Sequence, residues 1–295
     1  MEDRFSLPNY GGQAVIEGVM MRGKWGVAIA MRAPTKEIVI HHEELGSIYK
    51  SKLSKIPFLR GLILLWDALG LGMRALTISA NTQTGEEQKI EGPISYITIG
   101  FSLAFGIALF FLLPAGVGQL AERWLGWDTW LGNLLEGVLR LGLLIGYIIA
   151  IGLIPDIHRV FAYHGAEHKT INAFEAGAEL TPECVSKYSV EHPRCGTAFL
   201  LTLVVLSIIF FSLLGPMPIA WRLASRILFL PLLAGIAYEY IRWTAKHIQS
   251  PFVQLMVKPN LALQHLTTRE PSLDMLEVSI AAFNAMRADE AQITL

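Results

Sequence analysis

GPISYITIGFSLAFGIALFFLLPAGVGQLA (residues 92–121) and CGTAFLLTLVVLSIIFFSLLGPMPIAW (195–221) contain no Asp, Glu, Lys or Arg. Each exceeds the roughly 20 apolar residues with which a helix crosses a bilayer. The chain is therefore read as mainly α, a polytopic helical membrane protein. Segments near 94–115, 131–154, 197–217 and 221–243 give about four spans. They are joined by a loop at 116–130, a polar segment at 155–196 and the short turn Gly215-Pro216-Met217-Pro218. Composition agrees, with 17% of the 295 residues charged against about a quarter in soluble domains.

Orientation follows the bias of Lys and Arg toward the inner side. Arg22, Lys24, Arg32, Lys36, Lys50, Lys52 and Lys55 precede the spans, and Arg159, Lys169, Lys187 and Arg194 lie in 155–196. Arg242, Lys246 and Lys258 follow the last span, whereas 116–130 holds only Arg123. Both termini and 155–196 are thus expected in the cytoplasm. Glu2, Asp3 and Arg4 interrupt the start of the chain, so no cleavable signal peptide is expected there. A net charge of −1 lacks the basic surplus that nucleic-acid binding needs.

Outside the spans, residues 1–57 read as a Gly-rich region with a β-hairpin. Its strands are 27–31 and 37–40, flanking Pro34-Thr35-Lys36. Segment 58–80 is apolar but carries Arg60, Asp67 and Arg74 on one helical face. It reads either as an interfacial helix with a charged stripe or as a spanning or re-entrant helix with an inward stripe, and the charge bias favours the first. The tail, 244–295, is broken by Pro251, Pro259 and Pro271 and ends in an amphipathic helix with Leu273, Leu276, Ile280 and Phe283 on its apolar stripe.

Charges inside spans are expensive and need partners. Glu136 and Arg140 sit in the second span and Arg222 and Arg226 at the start of the fourth, which makes a Glu136–Arg226 ion pair feasible. Such a pair serves structure or, alternatively, an ion or proton pathway.

The sharpest chemical string is His164-Gly165-Ala166-Glu167-His168. In a helix, His164 and His168 at i, i+4 share a face and can hold one metal ion, with Glu167 alongside as general base. Zinc is among the candidate divalent cations, because a bound metal acidifies water toward neutrality. Topology brings further candidates to the same layer: His192 and Cys195 opening the third span, Asp156 and His158 closing the second, Glu175 farther along and Glu239 at the inner end of the fourth. The alternative is a hydrogen-bonded cap of His164, Glu167 and His168 at the membrane surface, with Lys169 and Arg194 pairing carboxylates. A nucleophilic pair of Cys195 with His192 or His164 lacks any visible group to orient the base. Cys184 reads as a plain thiol.

The run Tyr10-Gly11-Gly12-Gln13-Ala14-Val15-Ile16-Glu17-Gly18-Val19-Met20-Met21-Arg22-Gly23 is dense in glycine, which implies a backbone approached closely by something else. Tight packing against the inner layer is favoured over a phosphate-binding nest, with Glu17 and Arg22 as contributors to the site.

Three strings, Gly12 to Gly23, Tyr163-His164-Gly165-Ala166-Glu167-His168-Lys169 and His192-Pro193-Arg194-Cys195-Gly196-Thr197, together resemble the bacterial YqhQ-like membrane proteins. The likeness extends to Thr267-Thr268-Arg269-Glu270-Pro271. That family is a domain of unknown function described in places as a predicted metal-dependent enzyme. The resemblance implies a bacterial plasma-membrane location and marks His164, Glu167, His168, His192, Cys195, Glu17 and Arg22.

Two functions are expected from these readings. One is a membrane-embedded metal-dependent hydrolase acting at the inner surface on a lipid, an isoprenoid carrier or a membrane peptide. The other is a non-catalytic channel, transporter or assembly partner. Gly142, Gly146 and Ala150 give the second span a close-packing face suited to a homo-oligomer.

Overall fold

The computed structural model describes residues 10–44, 56–84, 93–193 and 195–293. Lys50, Lys52, Lys55 and Arg194 lie outside these, as does the side chain of Asp67. The protein is mainly helical, with a sheet at its N-terminal end. The strands are β1 (Gly11–Val15), β2 (Gly18–Arg22), β3 (Gly26–Arg32) and β4 (Ile38–Glu44). The helices are α1 (Leu59–Thr84), α2 (Pro93–Ile107), α3 (Leu113–Leu125), α4 (Thr129–Gly152), α5 (Pro155–Glu175), α6 (Pro182–Val185), α7 (Thr197–Ser212), α8 (Ile219–Leu228), α9 (Leu230–Lys246), α10 (Pro251–Thr267) and α11 (Leu273–Ile293).

The sheet is an antiparallel meander in the order β1-β2-β3-β4. The expected hairpin is its β3–β4 half, with Ala30 opposite Ile40; the glycine-rich run supplies the other two strands. Glycine is depleted in strands, yet here it is demanded. A Cβ on Gly18 would strike the Ala30 carbonyl, and one on Gly12 the Met20 carbonyl. Ile16-Glu17 make the tight turn between β1 and β2, with Glu17 at φ 53°.

Period-2 alternation buries both faces of this sheet. Val19, Met21, Ala28 and Ala30 pack with Tyr163, Leu276 and Phe283 from α5 and α11. Met20, Val27, Ile29 and Met31 pack on Leu71 and Ala75 of α1. The hairpin, marginal alone, is thus clamped between helices. The apolar stripe expected on the last helix is buried at Leu276, Ile280 and Phe283, while Leu273 at its start is exposed.

Among the described residues, two helical stretches are long and apolar enough to cross a membrane, Ile97–Leu125 and Thr129–Gly152. Counting α8 and α9 as one span bent by 40° gives three. The bend falls at Phe229, just before Pro231, whose ring cannot continue a helix. Helix α7, at 16 residues, is shorter than expected. The loop expected at 116–130 is instead helical to Leu125, where Gly126 at φ 67° ends α3. Asp128 then caps α4, its side chain accepting from Leu131 N at 2.9 Å. Pro251 opens α10 after the break that follows Lys246, as a breaker should, whereas Pro259 lies inside α10 and does not interrupt it. The small residues Gly142 and Gly146 face open space on α4.

Between α2 and α3 the helix widens into a π turn, Ala108–Leu112. Pro114 has no N–H, so the Phe110 carbonyl loses its helical donor. Arg140 Nε on α4 donates to it at 2.9 Å. The same guanidinium reaches Ser207 at 2.8 Å and Glu136 at 2.6 Å. Arg226 forks onto Glu136 at 2.9 and 2.6 Å, and Arg222 reaches Asn133 at 2.8 Å and also pairs with Glu122. Glu136, Arg140 and Arg226 are each 1% exposed, and partners inside the bundle satisfy these charges as a low-dielectric interior requires.

Candidate metal centre

Helix α5 carries His164 and His168 on one face, their rings 4.4 Å apart. Each ring is held from behind by a backbone carbonyl: His164 Nδ1 lies 2.9 Å from Thr267 O, and His168 Nδ1 lies 2.6 Å from Val190 O. A carbonyl only accepts, so Nδ1 of each ring carries the proton and each Nε2 presents a lone pair. This is how second-sphere carbonyls orient metal-binding imidazoles. His168 Nε2 is buried without a hydrogen-bond partner. His164 Nε2 lies 3.2 Å from Cys195 Sγ. The ligand atoms of His164, His168 and Cys195 all lie within 4.8 Å of one another, so the cluster can hold a metal ion. Two imidazoles and a thiol suit a transition metal rather than Mg²⁺ or Ca²⁺.

Glu167 stands beside this cluster, 5% exposed. Its carboxylate accepts from Gly12 N–H on β1, and its Oε2 is buried with no partner. Burial raises its pKa to about 7, against the lowering effects of nearby His164 and of the Gly12 N–H bond. Gly12 makes the approach possible, since a Cβ there would sit 3.0 Å from Glu167 Cδ. The glycine density of the N-terminal run is thereby explained on the side facing α5. No phosphate nest is needed for it.

The carbonyls that orient the imidazoles are held in turn by buried and half-buried side chains. Lys169, 4% exposed, donates to Ser186 O and Tyr188 O at 2.7 Å each and pairs with Glu270 at 2.7 Å. Asn172 donates to Ser189 O and Glu191 O. Together they fix the strip that presents Val190 O. The buried Gln264 side chain brackets His192, accepting from its N–H at 3.0 Å and donating to its carbonyl at 2.9 Å. Arg269 N donates to Phe161 O at 2.9 Å, and a Cβ on Gly165 would strike the Arg269 carbonyl. The Thr267–Pro271 string is thus the clip that delivers Thr267 O to His164.

The other sequence candidates are distributed as follows. His192 is buried, its ring 5.7 Å from that of His168 and its Nε2 3.9 Å from Glu175. It flanks the cluster. Glu239 sits elsewhere: Arg60 forks onto it and Phe58 N donates to it, so its carboxylate ties α9 to α1. The charge stripe expected on 58–80 accordingly loses Arg60 to an ion pair. Glu17 pairs with Arg159 and accepts from Tyr163 OH at 3.3 Å, docking the β1–β2 turn on α5. Burial raises the Tyr163 pKa, with the Glu17 charge adding to it. Asp156 and His158 are exposed near the start of α5, and Arg22 ends β2. Cys184 is a free thiol on α6.

A mainly helical chain with candidate membrane spans and a buried His/His/Cys cluster belongs to the DUF1385 family, proteins of unknown function, which it matches over residues 56–289. It is similar to the uncharacterized protein YqhQ of Bacillus subtilis (strain 168), 34% identical over 301 residues, 96% of this chain and 94% of that one. No solved structure matches the chain.

Proposed function

We propose that this protein is a membrane-embedded, metal-dependent hydrolase acting at the inner face of a bacterial plasma membrane. The observation that carries the reading is the pairing of two carbonyl-oriented imidazoles with Cys195, beside a buried carboxylate oxygen that has no partner. Three protein ligands with a position left over is the pattern of catalytic rather than structural zinc, so zinc is the cation assigned. A bound divalent cation supplies Lewis acidity and acidifies water at neutral pH.

The chain's own residues do the rest. His164, His168 and Cys195 hold the ion, while Thr267 O and Val190 O fix the imidazole tautomers. Glu167 Oε2 takes a proton from water as the water oxygen bonds to the electrophilic carbon or phosphorus. The bond to the leaving group then breaks, and Glu167 returns the proton to it.

In the membrane, α7 completes a four-span reading, with both termini and α5 on the cytoplasmic side by charge bias. The internal pairing of Glu136 with Arg140 and Arg226 supports a structural role for that network over an ion pathway.

Metal content of purified protein is the test. About one transition metal per chain is expected, lost in His164→Ala/His168→Ala, with Glu167→Gln keeping the metal and losing hydrolysis. Wild-type protein free of metal after metal-replete purification would refute the reading.

A second reading has its own support. Cys195 and His164 form a hydrogen-bonded pair, and Thr267 O is the orienting third group such a nucleophile requires. It predicts activity in fully chelated protein, where the metal reading predicts none. A non-catalytic transporter predicts ion flux in vesicles that changes when Glu136 or Arg226 is neutralised.

A further inference from the structure

An apolar groove of about 560 Å³ lies between α1, α2 with its π turn, α7 and α9. We infer that it receives the acyl chain of a membrane lipid whose polar linkage lies at the His164/His168/Cys195 centre. The inference rests on the hydrolase reading and names its substrate class.

Both walls of the groove lead to the centre. On α7, Phe199 and Leu203 line it, and Phe199 lies four residues beyond Cys195. On α1, Leu62, Trp66 and Leu69 line it. One turn past Leu69, a Cβ on Gly72 would touch Gln13 Cδ at 3.0 Å, and the neighbouring Gly12 abuts Glu167. The groove thus borders α7 one helical turn from Cys195, and shares α1 with the contacts that lead through Gln13 and Gly12 toward Glu167. Its outer rim, including Trp66 at 77% exposed and Leu103 at 62%, opens sideways where α2 is read as lipid-facing.

Size and chemistry select the occupant. The groove volume is within the roughly 300–1,000 Å³ of ordinary ligand sites. An unwound peptide would leave backbone N–H and C=O groups unpaired against walls of Leu, Ile, Phe, Pro and Ala. A hydrocarbon chain has no such groups to pair.

The test uses full-length protein in vesicles of palmitoyl-oleoyl phosphatidylethanolamine and phosphatidylglycerol, with trace phospholipid bearing a diazirine in its acyl chain. Photolabelled peptides are mapped by mass spectrometry, and metal per chain is measured on the same preparations. Labelling is expected to concentrate on α1 and on Phe199–Leu203, well above that at Leu213 and Leu228, which are lipid-facing at 80% and 70% exposed. Leu203→Trp, which fills the groove, should bring that label down to the Leu228 level with metal content unchanged. Unlabelled phospholipid should compete, whereas an apolar membrane peptide should not.

Labelling no greater than at Leu213 and Leu228 overturns the proposal. So does undiminished labelling in a folded Leu203→Trp, or competition by the peptide. The wild-type map and the competition decide the matter even if Leu203→Trp does not fold. Absence of metal with groove-selective labelling would sink the hydrolase reading alone.

Discussion

Replacing Gly165 with alanine tests how the centre is held together. By helix propensity the change stabilises α5 by about 1 kcal/mol, because Gly is the poorest ordinary helix former after Pro. The structure opposes it. The new Cβ meets the Arg269 carbonyl oxygen in hard overlap and Val190 Cγ1 at 3.4 Å. The Arg269 carbonyl cannot swing aside cheaply, since Arg269 N is bonded to Phe161 O at 2.9 Å and Glu270 is paired with Lys169 at 2.7 Å. Overpacking of this kind costs about 1–3 kcal/mol. Lifting the 267–271 clip also breaks the His164–Thr267 hydrogen bond, worth about 0.5–1.5 kcal/mol. The sum exceeds the propensity gain, so a net loss of about 1–3 kcal/mol is expected. Loss of the orienting carbonyl should weaken metal binding by about 10–100-fold. Denaturant unfolding in detergent reads the first effect, and competition with a chromogenic chelator reads the second. Gly196→Ala is the control, because a Cβ there meets nothing within 4 Å and should leave both quantities unchanged. A Gly165→Ala protein as stable as wild type, with wild-type metal affinity, would refute the close approach of clip to helix.

Other outcomes follow from the same geometry. Glu136→Gln strips the shared counter-charge from Arg140, Arg222 and Arg226 and should destabilise by about 3–5 kcal/mol; unfolding curves in detergent matching wild type would contradict the burial of that network. Glu239→Gln should leave metal per chain at the wild-type level, while a double-mutant cycle with Arg60→Ala returns a coupling near 1 kcal/mol, since both side chains are about one-fifth exposed and solvent screens the pair. Lys169→Met removes the donor to two carbonyls and should cost about 1–3 kcal/mol and weaken metal binding through Val190; unchanged chelator competition would separate the strip from the centre. Returning zinc to chelator-stripped protein at 100 times Kd should stabilise it by about 2.7 kcal/mol, and a flat thermal transition across the titration would deny that the folded state binds metal.

What the sequence made legible divides along a physical line. Residues 92–121 announce themselves because the absence of charge over that length has one economical explanation, and α4 because Glu136 and Arg140 are its only charges in 24 apolar-rich residues. His164 and His168 are legible because helical spacing puts them on one face. The carbonyls of Thr267 and Val190 were not, because every residue carries a carbonyl and only the fold says where it points. Gln264 acts through such carbonyls and shared that invisibility, whereas Lys169 was legible as a partner for a carboxylate, which Glu270 supplies, but not as a donor to carbonyls. Glu239 misled for a related reason: its depth in the membrane matched the cluster, but its partner Arg60 comes from a helix whose placement rests on packing rather than on pattern. The strands β1 and β2 were hidden by the glycines they require, since strand propensity counts side chains and these positions are chosen for having none.

The π turn at Ala108–Leu112 has a consequence for how the two long candidate spans depend on one another. The backbone of the first long span is incomplete by itself, since the Phe110 carbonyl that Pro114 leaves without a donor is served by Arg140 from the next span. Arg140 in turn has its charge compensated within its own helix by Glu136. In a medium without water to stand in for a missing partner, the first of these candidate spans would have its backbone completed only with α4 beside it, which makes the two a helical hairpin joined by a backbone contact as well as by packing.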